Sequence, residues 1–198
     1  MKKVPIVLWM AAVLILQPCC RKEKVARPIG EEIVKPGVEV FLENHLDLVK
    51  GKKVGLITNP TGVDRKLRST AELFADSPAI ELVALYGPEH GIRGNAQAGE
   101  YVPFYFEDKF KVPVFSLYGQ SFKPSPGMLK DIDEYMRSFD TTETGKIPEG
   151  QMIQDVDVLV FDIQDVGTRV YTYIATMAYA MQACAESGIE FVVLDRPN

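Results

Sequence analysis

Five short runs dominated by Val, Ile, Leu and other apolar residues recur along the chain, at 54–58, 80–86, 112–117, 156–163 and 189–194. Each is closed by polar or glycine-rich sequence. The runs are nearly continuous rather than alternating, which is how a strand covered on both faces by helices reads. Between them lie helical stretches at 67–74, 126–136 and 171–187, the last followed by Gly188. This order predicts an α/β fold: a Rossmann-like, doubly wound, mainly parallel sheet with helices on both faces and right-handed crossovers. Such sheets bind ligands in the loops at the carboxyl ends of their strands, so the search for chemistry narrows to those loops. Residues 38–50 precede the first strand as a short amphipathic helix ended by Gly51, and residues 140–151 read as an exposed insertion.

The amino terminus has a different character. In residues 1–20, Lys2 and Lys3 precede an apolar run from Val4 to Leu16 broken only by Pro5, the pattern of an export signal. The run is shorter than the roughly 20 apolar residues of a membrane span. Leu16, Gln17, Pro18 and Cys19 resemble a lipoprotein processing site, although Pro18 is a poor residue before a cleavage point. The expectation is an exported protein of the periplasm or cell envelope, either lipidated at Cys19 or Cys20 or secreted, with a lipid anchor its only membrane contact. Residues 21–37 read as a charged, proline-bearing tether, and 38–198 as the folded domain. Of the 3 cysteines only Cys184 lies in that domain. A disulfide scaffold is thereby excluded, and Cys184, among small residues on a helix, is predicted to be a buried thiol. A formal net charge of -5 without a basic stripe argues against a nucleic-acid partner.

The strand-end loops differ in what they offer. After the first strand, Asn59 and Asp64 lie in a turn-forming set that serves a plain turn or a ligand equally well. After the second comes Gly87-Pro88-Glu89-His90-Gly91-Ile92-Arg93-Gly94, continuing to Gly99 and Glu100. Its glycines let backbone approach a ligand, and Glu89, His90, Arg93 and Glu100 offer acid, base and cation groups. Glu89 follows a buried strand directly, where partial desolvation suits a general acid; His90 either transfers a proton, orients a hydroxyl or caps the turn. After the fourth run, Asp162, Gln164 and Asp165 cluster, followed by Arg169, Tyr171 and Tyr173. Hydrogen bonding to a polyhydroxylated ligand with tyrosine stacking fits them; helix capping by Asp165 and core placement of one tyrosine are the structural alternative. Asp195 and Arg196 follow the fifth run. Arg93, Arg169 and Arg196 each suit bidentate recognition of a carboxylate. With 2 histidines and no His-Glu-x-x-His pair a zinc site is not expected, and no phosphate loop, dinucleotide fingerprint or Gly-x-Ser-x-Gly elbow occurs. No metal or cofactor is expected.

Taken with residues 55–59, 158–167 and 193–198, the Glu89 loop resembles the NamZ-type exo-β-N-acetylmuramidases, and the likeness runs from about Val38 to the last residue. The resemblance implies a Rossmann-like amino-terminal catalytic domain, a smaller carboxyl-terminal domain that this chain lacks, and a cleft between them. It also implies hydrolysis of non-reducing terminal N-acetylmuramic acid from peptidoglycan fragments, muropeptides or disaccharides, in cell-wall turnover or recycling. Such chemistry uses two carboxyl groups; Glu89 is the expected acid, and its partner is Glu100, Asp162, Asp165 or a residue outside this chain. The lactyl carboxylate of muramic acid gives one arginine a ligand. A non-catalytic envelope protein binding muropeptides, and a metal-assisted hydrolase using Asp162 and Asp165, are the competing readings.

Overall fold

The computed structural model describes residues 34–119, 122–139 and 153–196. Six strands form one sheet: β1 (Lys53–Thr58), β2 (Glu81–Gly87), β3 (Tyr105–Glu107), β4 (Val112–Ser116), β5 (Val158–Asp162) and β6 (Glu190–Val193). Their spatial order is β3-β4-β2-β1-β5-β6, parallel throughout except for the antiparallel edge pair β3 and β4. The expected α/β, mainly parallel architecture is what forms.

Successive strand residues point to opposite faces, and each face has its own core. Val54, Leu56, Leu85, Val158 and Val160 pack on one side with Val38 and Phe41 of helix α1 (Gly37–Asn44) and Ala71 and Phe74 of α2 (Thr70–Ala75). Ile57, Tyr86, Leu159 and Phe161 pack on the other with Ile132 and Met136 of α3 (Ile132–Arg137) and Ala180, Ala183 and Cys184 of α4 (Tyr173–Ser187). Burial on both faces explains why the parallel strands were readable as continuous apolar runs.

Where the elements depart from expectation, local backbone chemistry is the cause. The helix expected from residue 67 starts at Thr70, because Leu67 is left-handed (φ 62°) and Ser69 caps the helix reciprocally with Glu72. Replacing Ser69 with Ala should lower stability to urea by about 1 kcal/mol, the worth of such a cap. The helix expected over 126–136 is divided into a 3₁₀ turn (Pro126–Met128) and α3, with Asp131 left-handed between them (φ 57°). The first helix stops at Asn44, and a 3₁₀ turn (Leu46–Leu48) carries the chain to Gly51 (φ 71°). The edge strand β3 was not anticipated. The expected insertion at 140–151, the signal at 1–20 and residues 21–33 of the tether expected at 21–37 lie outside the described residues; residues 34–37 of that tether are described, and Gly37 is already the first residue of α1. Among the described residues no helix is long and apolar enough to cross a membrane.

Cys184 is a free, buried thiol, and burial pushes its pKa up to about 12. Iodoacetamide at pH 8 followed by peptide mapping should leave it unmodified in the folded protein and alkylated in denaturant, because only the thiolate reacts.

The chain runs outward from β1 through β2 to β4, then returns to the other flank of β1 for β5 and β6. The reversal falls between β1 and β5, where open α/β sheets hold their ligands.

Candidate active site

Asn59 and Thr61 organise the floor of this crevice. Asn59 is buried at the exit of β1, and its Oδ1 accepts from Thr61 N (3.0 Å) and Thr61 Oγ1 (2.6 Å). Thr61 Oγ1 in turn accepts from Gln164 N (2.8 Å), which ties the exit of β1 to that of β5. Burial pushes the Tyr173 phenol up, against the opposing effect of the nearby Asn59 side chain. The Tyr171 ring lies 5.9 Å from that of Tyr173, half-exposed at the crevice rim.

Gly87 begins the turn that carries Glu89. A side chain there would come within 2.9 Å of Ile92 N, so only glycine lets the loop fold back on the strand. Gly91 N closes the turn on Pro88 O (2.9 Å), with both His90 (φ 72°) and Gly91 (φ 73°) left-handed. For His90 this conformation costs on the order of 1 kcal/mol. It is held because Nδ1 donates to Ala96 O (2.9 Å), which assigns His90 to bracing the loop. The Glu89 carboxylate is half-buried; Oε2 accepts from Thr172 Oγ1 (3.0 Å) and Oε1 from Gly99 N (3.3 Å). The Tyr118 side chain, from the end of β4, lies close to it, and the carboxylate pushes the Tyr118 phenol up. Thr172 and Tyr118 escaped the sequence reading because a hydroxyl carries no motif; their places after β5 and β4 were the available signal.

Several residues expected at the ligand are committed elsewhere. Asp162 is 0% exposed, and Arg196 holds it bidentately, Nε to Oδ1 (2.6 Å) and Nη2 to Oδ2 (2.8 Å). Thr70 Oγ1 donates to the same carboxylate, and the guanidinium also donates to Val63 O (3.1 Å). A carboxylate buried to this degree needs its charge paired, so Asp162 and Arg196 join the ends of β5, β6 and β1 instead of facing a ligand. Arg93 pairs with Glu107, a buried carboxylate on β3, and thereby pins the Glu89 loop to the sheet edge. Glu100 is exposed and accepts from Gln97 N (2.7 Å), closing its own turn; the group of this segment that reaches Glu89 is Gly99 N. Asp195 Oδ1 accepts from Arg196 N (2.9 Å), and its backbone carbonyl accepts from Gly37 N (2.8 Å) at the start of α1. Arg169 sits on an exposed loop.

Gln164 and Asp165 stay with the crevice. Gln164 Nε2 donates to Asp165 O (3.1 Å), and Asp165 Oδ2 accepts from Gly167 N (2.9 Å). Asp165 does not cap α4, whose N-cap is Thr172; its Oδ1 is buried without a hydrogen-bond partner. Among the described residues no group of three His, Cys, Asp or Glu side chains is placed to hold a metal ion.

The fold and this crevice define a Rossmann-like α/β domain that presents a hydrogen-bonded carboxylate at its topological switch point. The chain belongs to the family described as exo-beta-N-acetylmuramidase NamZ, N-terminal, whose model matches residues 54–146 and 137–198. It is 49% identical over 165 residues to the peptidoglycan beta-N-acetylmuramidase NamZ of Bacillus subtilis (strain 168), covering 83% of this chain and 34% of that protein. Crystal structures of two DUF1343 family proteins from Bacteroides fragilis NCTC 9343 have similar folds, one at 46% identity and TM-score 0.65, the other at 29% and 0.55. Each likeness covers 83% of this chain and 35% of the solved chain, so the chain spans about a third of the length of the relatives it matches.

Proposed function

We propose that this chain carries the catalytic carboxylate of an exo-β-N-acetylmuramidase, a glycoside hydrolase that removes non-reducing terminal N-acetylmuramic acid from peptidoglycan fragments. The observation that carries the proposal is the Glu89 carboxylate, hydrogen-bonded at the strand ends beside Asn59, Tyr171 and Tyr173, in a family whose description names that activity. In the reaction Glu89 gives its proton to the glycosidic oxygen as the bond to the anomeric carbon breaks, and a second carboxyl group stabilises or attacks that carbon or activates water. Of the partners considered within this chain, Asp162 is held by Arg196 and Glu100 closes its own turn. Among the three, Asp165 has a buried carboxylate oxygen without a hydrogen-bond partner, and we assign it the second role within this chain. Export to the periplasm or cell envelope, either lipidated at Cys19 or Cys20 or secreted, would bring the domain to its substrate, and cell-wall turnover or recycling is the process served.

The test is incubation with a chromogenic β-N-acetylmuraminide, with calorimetry on a muropeptide in parallel. Release of the chromophore is the expected result. Binding without release after long incubation would favour a non-catalytic muropeptide-binding role instead.

A further inference from the structure

Thr172 occupies the N-cap of the 15-residue helix α4, yet its side chain makes no capping bond. Its backbone (φ -89°, ψ -6°) is helical rather than extended, and capping geometry requires the extended form. The hydroxyl donates instead to Glu89 Oε2 across 83 residues of sequence. Threonine is favoured at this position for capping, so a helix that forgoes the cap and turns the hydroxyl onto a carboxylate shows local stability yielding to another requirement. The support beneath Thr172 is firm: its carbonyl accepts both Thr176 N (2.9 Å) and Thr176 Oγ1 (3.2 Å).

The Tyr118 side chain lies close to the same carboxylate. Its backbone is braced by Ser116 Oγ, which accepts from Tyr118 N (3.3 Å) and donates to Tyr118 O (3.1 Å). Its ring stands edge-on to Phe122 at 5.2 Å. Glu89 thus sits on a loop with left-handed residues at 90 and 91, and is met by a hydroxyl donor from the start of α4.

The geometry points to Thr172 as a positioning residue for Glu89, its hydroxyl fixing where the carboxylate stands relative to the scissile bond. The inference rests on Glu89 being the catalytic carboxyl group. The hydroxyl acts through Glu89: it restricts its side-chain rotamers, and a misplacement of about 1 Å is enough to cost on the order of 100-fold in rate. Its effect therefore falls on turnover and not on ground-state binding.

The experiment compares Thr172→Val, Thr172→Ser, Thr172→Ala and Glu89→Gln with the unmodified full chain on a chromogenic β-N-acetylmuraminide, recording kcat, KM and Tm. Thr172→Val is expected to lower kcat by about 10- to 100-fold with KM within about twofold. Its Tm should hold, because no capping bond is lost. Thr172→Ser restores the hydroxyl and should return kcat to within about threefold of the unmodified chain. An unchanged kcat in Thr172→Val, with Glu89→Gln inactive, overturns the positioning role and leaves the reading of Glu89 standing. A fully active Glu89→Gln removes that reading and the positioning role together. If Thr172→Val fails to fold, Thr172→Ala decides the matter by its own kcat and KM.

Discussion

Glu89→Gln is expected to reduce muramidase turnover by about a thousandfold while leaving Tm nearly unchanged. The substitution keeps the shape and one of the two bonds: the Gln carbonyl oxygen accepts from Thr172 Oγ1 as Glu89 Oε2 does, while the amide nitrogen in place of Oε1 cannot accept from Gly99 N. What it removes is the transferable proton and the negative charge. General acid–base catalysis contributes roughly 10²- to 10⁴-fold, and loss of that contribution without other disturbance gives the expected size. Steady-state kinetics on a chromogenic β-N-acetylmuraminide, with circular dichroism for the fold, measures both halves. A rise in KM alone, with kcat intact, would remove Glu89 from the chemistry.

Arg196→Met should have the largest effect on stability, about 3–5 kcal/mol in urea unfolding, with Tm lower by on the order of 10 °C. Arg196 and Asp162 are 8% and 0% exposed in their side chains. Without the guanidinium the Asp162 carboxylate keeps Thr70 Oγ1 as a donor but loses its compensating charge. Adding Asp162→Leu to Arg196→Met should recover part of the loss, because removing both charges abolishes the desolvation penalty that one leaves behind. A single substitution costing under about 1 kcal/mol would mean the pair is better solvated than its burial indicates.

These two sites also show why some residues were legible in the sequence and others not. The parallel strands announced themselves because each is covered on both faces, so every position from Val158 to Phe161 had to be apolar. Gly188 marked the end of α4 because it stands in a left-handed conformation (φ 66°). Strand β3 is only Tyr105–Glu107, too short for any period, and the left-handed Asp131 that divides 126–136 has no signature in composition. The Glu89 loop could be singled out because the end of a buried strand is a rule of topology. Arg93 and Arg196 were expected at a ligand carboxylate, and the chemistry was right while the partner was not: each binds a carboxylate of the protein itself, Glu107 and Asp162. Sequence proximity gives no hint of such partners, since Asp162 lies 34 residues from Arg196. Thr172 and Tyr118 become visible only when folding brings the start of α4 and the end of β4 to the same carboxylate.

The central claim is that Glu89 stands where the sugar's glycosidic bond is cleaved, and a crystal structure of the protein with N-acetylmuramic acid bound tests it most directly. The expected result places the anomeric oxygen within hydrogen-bond distance of a Glu89 carboxylate oxygen, with the sugar ring against Tyr171 or Tyr173. A sugar bound away from Glu89, for example in the cavity of about 150 Å³ lined by Ile92, Val102, Phe115 and Ser116, would contradict it.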